Sequence, residues 1–279
     1  MPTLSVDTIR THALAVHDDV RDMLSREGPL EEDCVHGLRV ASKELRALWQ
    51  LLKPVMDDQC AREALTQLRD VATSLSEARD QYVVLDTLKG LCAKARSRDT
   101  RAALDAALLY LRDHTPETLT QVAASPELQD SWQRDLQRWQ ALHTDILASD
   151  LRDEGFGRLY RKARKLTHAA IQSDDIHLWH ALRKWVKYLA LTLPVAGDSK
   201  AQERFSPDLT RLGKKLGKLH DLDRLLLALS ELDWQGSEDQ LGYINHEIRR
   251  EISRLLSDCS ALATRLFDPS PRAFLRRLG

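Results

Sequence analysis

The residues in this chain best suited to chemistry are cations set at helical spacing. In Val35–Leu52, VHGLRVASKELRALWQLL, His36, Arg39, Lys43 and Arg46 share an arc of roughly 80° when each residue advances about 100°. Leu38, Ala41, Leu45, Leu48 and Leu52 take the other side. The segment His177–Leu193, HLWHALRKWVKYLALTL, repeats the device: His180, Arg183 and Lys187 reproduce the first three steps, with Lys184 alongside and Leu178, Leu182, Trp185 and Leu189 opposite. Arg161, Arg164, Lys165 and His168 cluster in GRLYRKARKLTHAAI, and Arg211, Lys214 and Lys218 share a face of DLTRLGKKLGKLHDL. One basic stripe is ordinarily a solvated face. Four stripes in a chain of net charge −1 point to an anionic ligand.

Like charges at i and i+4 destabilise a helix by a few tenths of a kcal/mol each. Several together suit a helix that meets an anion, because Lys and Arg offer charge and donors to phosphate oxygens. A histidine beside an anion becomes a stronger donor once protonated. The chain has no Gly-rich loop for a nucleotide phosphate and no run of aromatics on the basic faces to stack bases. The pattern fits repeated anionic charge without bases.

The elements that must position these residues are helices throughout. Apolar periodicity and Gly or Pro breaks predict helices over 3–26, 31–53, 58–97 with a bend near Arg79-Asp80, 100–114 and 126–149. The pattern then restarts, with helices over 156–172, 175–193, 207–232 and 238–267 and a short terminal turn, PRAFLRRLG. No segment alternates with period two for long enough to form a strand, so the fold class is all-α. The restart marks an internal repeat of roughly 140 residues. His36 and His180 are 144 apart, and LSEARDQYVVLDTL (75–88) aligns with LGKLHDLDRLLLAL (216–229), pairing Arg79-Asp80 with His220-Asp221. Residues 1–150 and 151–279 are thus expected to form two pseudo-symmetric helical bundles packed around a shared basic groove or pore.

Charge is segregated along the chain. From Arg158 to His220 there are 14 Lys or Arg against five acids, a net of +9; from Asp99 to Gly157 there are five Arg against 11 acids, a net of −6. The near-zero total argues against a wholesale basic nucleic-acid binder. Cys34, Cys60, Cys92 and Cys259 form no CxxC and no paired spacing, which suggests buried thiols in a reducing compartment. An acid-dotted amphipathic N-terminus does not read as a signal peptide, and no apolar run approaches the roughly 20 residues of a membrane span. The expectation is a cytoplasmic protein without membrane association.

VHGLRVASKELRALW, LYRKARK, HALRKWVKY, LGKLHDLDRLL and LATRLFDPSPRAFLRRL together resemble the CHAD family, the conserved histidine α-helical domains, in order over nearly the whole chain. The resemblance implies one domain over 1–279, a pair of pseudo-symmetric antiparallel four-helix bundles, and a central basic surface that binds inorganic polyphosphate. It assigns the ligand to His36, Arg39, Lys43 and Arg46; to Arg161, Arg164 and Lys165; to His180, Arg183, Lys184 and Lys187; and to Lys214 and Lys218, with Arg79 and His220 at the helix bend. Ala190 stands where the first repeat has Arg46, and Lys43 replaces an arginine common in the family. Some relatives in the family are fused to a triphosphatase domain or associate with storage granules.

Two rival readings belong to other classes. His180 followed by His220-Asp221 is similar to the metal-dependent HD phosphohydrolases. A metal site needs converging neutral histidines and carboxylates, whereas Arg183, Lys184 and Lys187 surround His180 and Arg79 replaces His220 in the first repeat. The same groove could instead hold a nucleic acid or an acidic protein. The residues favour non-catalytic binding, with no catalytic residue, metal or cofactor, and nucleic acid disfavoured as a partner.

Overall fold

Serine and aspartate side chains open several of the helices. Ser5 accepts from the Thr8 amide, Asp57 from Gln59, Ser125 from Leu128 and Asp175 from His177, each satisfying an amide that the first turn leaves without a helical partner. The computed structural model describes residues 4–26, 28–75, 77–114, 125–143, 145–173, 175–196, 199–231 and 237–278, with the side chains of 77–82 and 114 outside that description. Among the described residues every regular element is helical, as the periodicity predicts. In order these are α1 (Val6–Leu24), α2 (Glu32–Leu52), α3 (Asp58–Ser74), α4 (Glu77–Cys92), α5 (Arg98–His114) and α6 (Pro126–Gln140). A short α7 (Ala148–Asp150) runs through a π-helical turn (Leu151–Phe156) into α8 (Gly157–Ile171). Then come α9 (Ile176–Thr192) with a 3-10 turn (Leu193–Ala196), α10 (Ser199–Glu231), α11 (Glu238–Phe267) and α12 (Pro271–Leu278).

Several boundaries differ from the expected ones. The long helix over 58–97 is two helices, α3 and α4, and the break precedes Arg79-Asp80. The helix expected to run to 149 ends at Gln140, ahead of His143, Thr144 and Asp145, which have low helix propensity. Proline suits a first turn, so Pro207 reads as a helix start; instead α10 begins at Ser199 and carries Pro207 inside it. Ala201, Phe205, Leu209 and Leu212 are buried at helical spacing on both sides of the proline, and this packing offsets the lost hydrogen bond. The terminal turn is a two-turn helix, α12, whose Phe274 and Leu278 are buried.

The chain forms two compact units, residues 1–75, 121–213 and 263–279 in the first and 76–120 and 214–262 in the second, so each unit draws helices from both halves of the sequence. In the first unit α2 is the hub, packing on α1, α3, α9 and the π-helical turn. The close approach of that turn needs Gly155, since a Cβ there would stand 2.8 Å from the Leu51 carbonyl oxygen. Beneath α2 sits a buried carboxylate. Asp135 on α6, fully buried, accepts from His17 Nε2 on α1 at 3.0 Å, Trp49 Nε1 on α2 at 2.9 Å and Trp139 Nε1 at 3.1 Å. A buried charge is tolerable only with such partners, and these three fix α1, α2 and α6 against one another. In the second unit α4 packs on α5, and Glu251 joins Lys94 at 3.3 Å and Arg254 at 2.8 Å.

Candidate anion-binding site

The three stripes of the first unit lie on helices that touch. Helix α9 packs against both α2 and α8, and Asp175 caps its first turn. Their apolar faces are spent in the core: Leu38, Leu45 and Leu48 on α2, Leu159 and Ala163 on α8, Leu182, Val186 and Leu189 on α9 are all buried. The cations between those positions are therefore turned outward. His36 is exposed while Arg39, Lys43 and Arg46 are half-buried; Arg161 and Lys165 are exposed and Arg164 half-buried; Lys184 is exposed with His180, Arg183 and Lys187 half-buried. Arg39 donates to the Leu75 carbonyl oxygen at 2.8 Å, which anchors its guanidinium at the end of α3.

One meeting point joins all three helices. Burial, and then Arg46 of α2, lower the pKa of Lys184 on α9 from its ordinary value. Burial raises Tyr188 on α9, against the opposing pull of Arg46 and of Arg158 on α8. Arg158 is itself lowered, first by burial and then by the neighbouring Arg161. Its Nη2 donates to the Gln50 side-chain oxygen at 2.8 Å, and its guanidinium lies 5.6 Å from the Trp185 ring centre, with Lys184 Nζ 5.3 Å from the same centre. None of Arg46, Arg158 and Lys184 is in an ion pair among the described residues. Three cations thus crowd around Trp185 and Tyr188 with no carboxylate at ion-pair distance among the described residues, and Asp58 acts on Arg158 only from farther away.

Other expected positions fall elsewhere. On α8, Arg161 reaches Glu154 of the π-helical turn at 3.3 Å, and Arg164 donates to the Asp268 carbonyl oxygen, just before α12, at 3.4 Å. Lys214 and Lys218, exposed, and His220, half-buried, lie on the part of α10 that belongs to the second unit. The Arg79 side chain lies outside the described residues. Arg158 and Tyr188 escaped the sequence reading, although Arg158 precedes Lys165 by seven residues and so shares its face. Trp185, placed by periodicity on the apolar side, is half-buried and roofed by cations, whereas Trp49, Trp132, Trp139 and Trp179 are buried.

Metal and thiol chemistry find little here. Among the described residues no three His, Cys, Asp or Glu side chains gather as metal ligands. Cys34, Cys92 and Cys259 are buried thiols and Cys60 is partly exposed. Burial raises Cys259 to about 12 and Cys92 to about 11, in the latter case with help from Asp105. Thiols so raised are poor nucleophiles.

Comparison with known families settles the affiliation, because the CHAD domain model matches residues 14–230. The chain belongs to the CHAD family. The crystal structure of the CHAD domain from the plant Ricinus communis aligns at a TM-score of 0.65 and 19% identity, covering 95% of this chain and 93% of that one, and so shares the all-helical fold. A comparison with curated proteins finds no match. Within this CHAD domain the basic residues of α2 and α8 flank those of α9, which packs on both helices. Among the described residues no helix is long and apolar enough to cross a membrane.

Proposed function

We propose that this CHAD domain binds inorganic polyphosphate along the basic faces of α2, α8 and α9 and does not consume it. The observation that carries the reading is the gathering of Arg46, Arg158 and Lys184 from three helices with no ion-pair partner among them. Crowded cations depress one another's charged forms, and an incoming chain of phosphates relieves that cost while it gains charge-assisted hydrogen bonds. A phosphate chain presents one charge after another without bases, which matches stripes whose one half-buried tryptophan, Trp185, is covered by Arg158 and Lys184 instead of lying open to stack a base. Lys214, Lys218 and His220 on α10 join the set through the family resemblance and are tested by their own substitutions. Four unpaired thiols support a cytoplasmic setting, where storage granules are the natural source of the ligand.

The test is binding of long-chain polyphosphate with DNA and ATP as competitors. Tight binding that weakens steeply with salt, and that neither competitor displaces at equal phosphate concentration, supports the reading. Equal affinity for ATP would overturn it. Release of phosphate that depends on an added divalent metal would favour a phosphohydrolase, and displacement by DNA a nucleic-acid binder.

A further inference from the structure

A second concave basic site lies at the C-terminal end of the first unit. A cavity of about 690 Å³ is bounded by Arg152, Asp153 and Glu154 of the π-helical turn, Arg161 of α8, and Arg272 and Arg276 of α12. The helix that forms its far wall is firmly held. The Tyr160 hydroxyl meets the carbonyl oxygens of Leu266 at 3.0 Å and Pro269 at 2.8 Å, just before α12, and its ring stacks on Phe274 at 4.2 Å. Gly157 lies between two lining residues, since an added Cβ there would stand 3.0 Å from Arg161 Nη1 and 3.6 Å from Leu275 Cδ1. A side chain there would require the Arg161 guanidinium to shift by a few tenths of an ångström, while Leu275 would stay in ordinary contact. The π-helical turn that supplies the near wall is a rare element that recurs at functional sites.

The charge balance of this cavity is specific. Arg152 holds Asp153 at 2.8 Å and Arg161 holds Glu154 at 3.3 Å, so two of its four arginines are matched by its two carboxylates. Arg272 and Arg276 are exposed and have no hydrogen-bond or ion-pair partner among the described residues. The net charge of the lining is therefore +2. An interior phosphate of a chain carries about one negative charge, whereas a terminal phosphate, with a second pKa near 6, carries between about 1.5 and 2 at neutral pH and offers three acceptor oxygens. Two arginine forks converging on one group suit such an end. An extended stripe instead suits the interior of a chain.

We infer that this cavity seats the terminal phosphate of an oligophosphate or polyphosphate chain, with Arg272 and Arg276 as its principal ligands. The identity of the ligand rests on the polyphosphate reading; the geometry and charge of the seat do not. Inorganic tripolyphosphate is the direct probe, because it is mostly ends. The double variant Arg272→Gln/Arg276→Gln removes two exposed, unpartnered side chains, and an unchanged thermal melt confirms that its fold is intact. Tripolyphosphate affinity is expected to fall about tenfold or more per arginine, the factor for one charge-assisted contact. Long-chain affinity should fall only a few-fold, while Arg183→Glu should do the reverse. Long chains with both termini blocked as phosphoramidates should lose the contribution of Arg272 and Arg276. Tripolyphosphate bound equally by wild type and double variant would overturn the seat, as would blocked and free chains bound identically. Tripolyphosphate binding lost with Arg272 and Arg276, in a protein that holds no long chain, would uphold the seat and overturn the track along α2, α8 and α9.

Discussion

Arg46→Gln separates a ligand-binding role from a structural one, because the two predict opposite signs for the free protein. Arg46 depresses Lys184, so its removal relieves a repulsion. Lys184 is exposed, and solvent limits the gain to a few tenths of a kcal/mol at most. The free protein should thus be as stable as wild type or slightly more so. Loss of one charge-assisted phosphate contact costs about 1.5–3 kcal/mol, or tenfold or more in affinity. Arg39, Lys43, Arg46, Arg158, Arg161, Arg164, Lys165, Arg183, Lys184 and Lys187 give ten Lys and Arg on the three stripes of the first unit. At roughly 0.7 per neutralised phosphate on a flexible polyanion, log affinity should fall with log salt by at most about 7, and by about 0.7 less in the variant. The assay is polyphosphate titration from about 50 to 200 mM salt, with a urea melt of the free protein beside it. Tyr188 gives an optical check, since removing the pull of Arg46 should raise its pKa further. A variant that melts early yet keeps wild-type affinity and salt slope would show that Arg46 is there to pack, and the reasoning would fail.

The remaining predictions use the same logic elsewhere. Charge reversal at Arg39 and at Arg183 should weaken long-chain binding to a similar degree, while the same change at the exposed Arg134 should do little, read by competitive titration at fixed salt. Asp135→Ala strands three buried donors and should cost about 3–5 kcal/mol, measured as a lowered urea midpoint. Glu44 raises the pKa of His12 through a 2.6 Å hydrogen bond that outweighs burial, so the protonated form is favoured on folding. That stabilisation is complete below about pH 6.5, the unfolded value, and is lost as pH rises through the higher folded value. Stability measured across that range should flatten in Glu44→Gln; an unchanged slope would assign the dependence to another group.

The helices and the faces they bury were legible from periodicity, because Leu38, Leu45 and Leu48 on α2 and Leu182 and Leu189 on α9 repeat every three or four residues and are buried. The stripes followed by subtraction, as what remained on the outer face. Spacing within one helix says nothing about where another helix crosses it, and this is why Arg158 and Tyr188 were missed. The covering of Trp185 by cations was hidden for a related reason. A large aromatic on the apolar side can still lie at the rim of a helix contact, where cations roof it. Pro207 misled because packing on both sides of it outweighs a local preference. The arginines of α12 drew no attention because a two-turn helix becomes rigid only through the anchor that Tyr160 supplies from α8.

The buried Asp135 has a consequence for the order in which the chain assembles. Its bonds to His17 and Trp49 span 118 and 86 residues of sequence, so both close very large loops. Loop closure on that scale is costly before other contacts reward it, whereas α2 with α3, and α8 with α9, are neighbours in sequence that can pair early. The knot of His17, Trp49 and Asp135 is therefore expected to tighten after the transition state. A lesion there should quicken unfolding and leave the refolding rate almost unchanged. The carboxylate beneath the basic helix thus acts as a late clasp: it does little to guide the chain home and much to keep it from leaving.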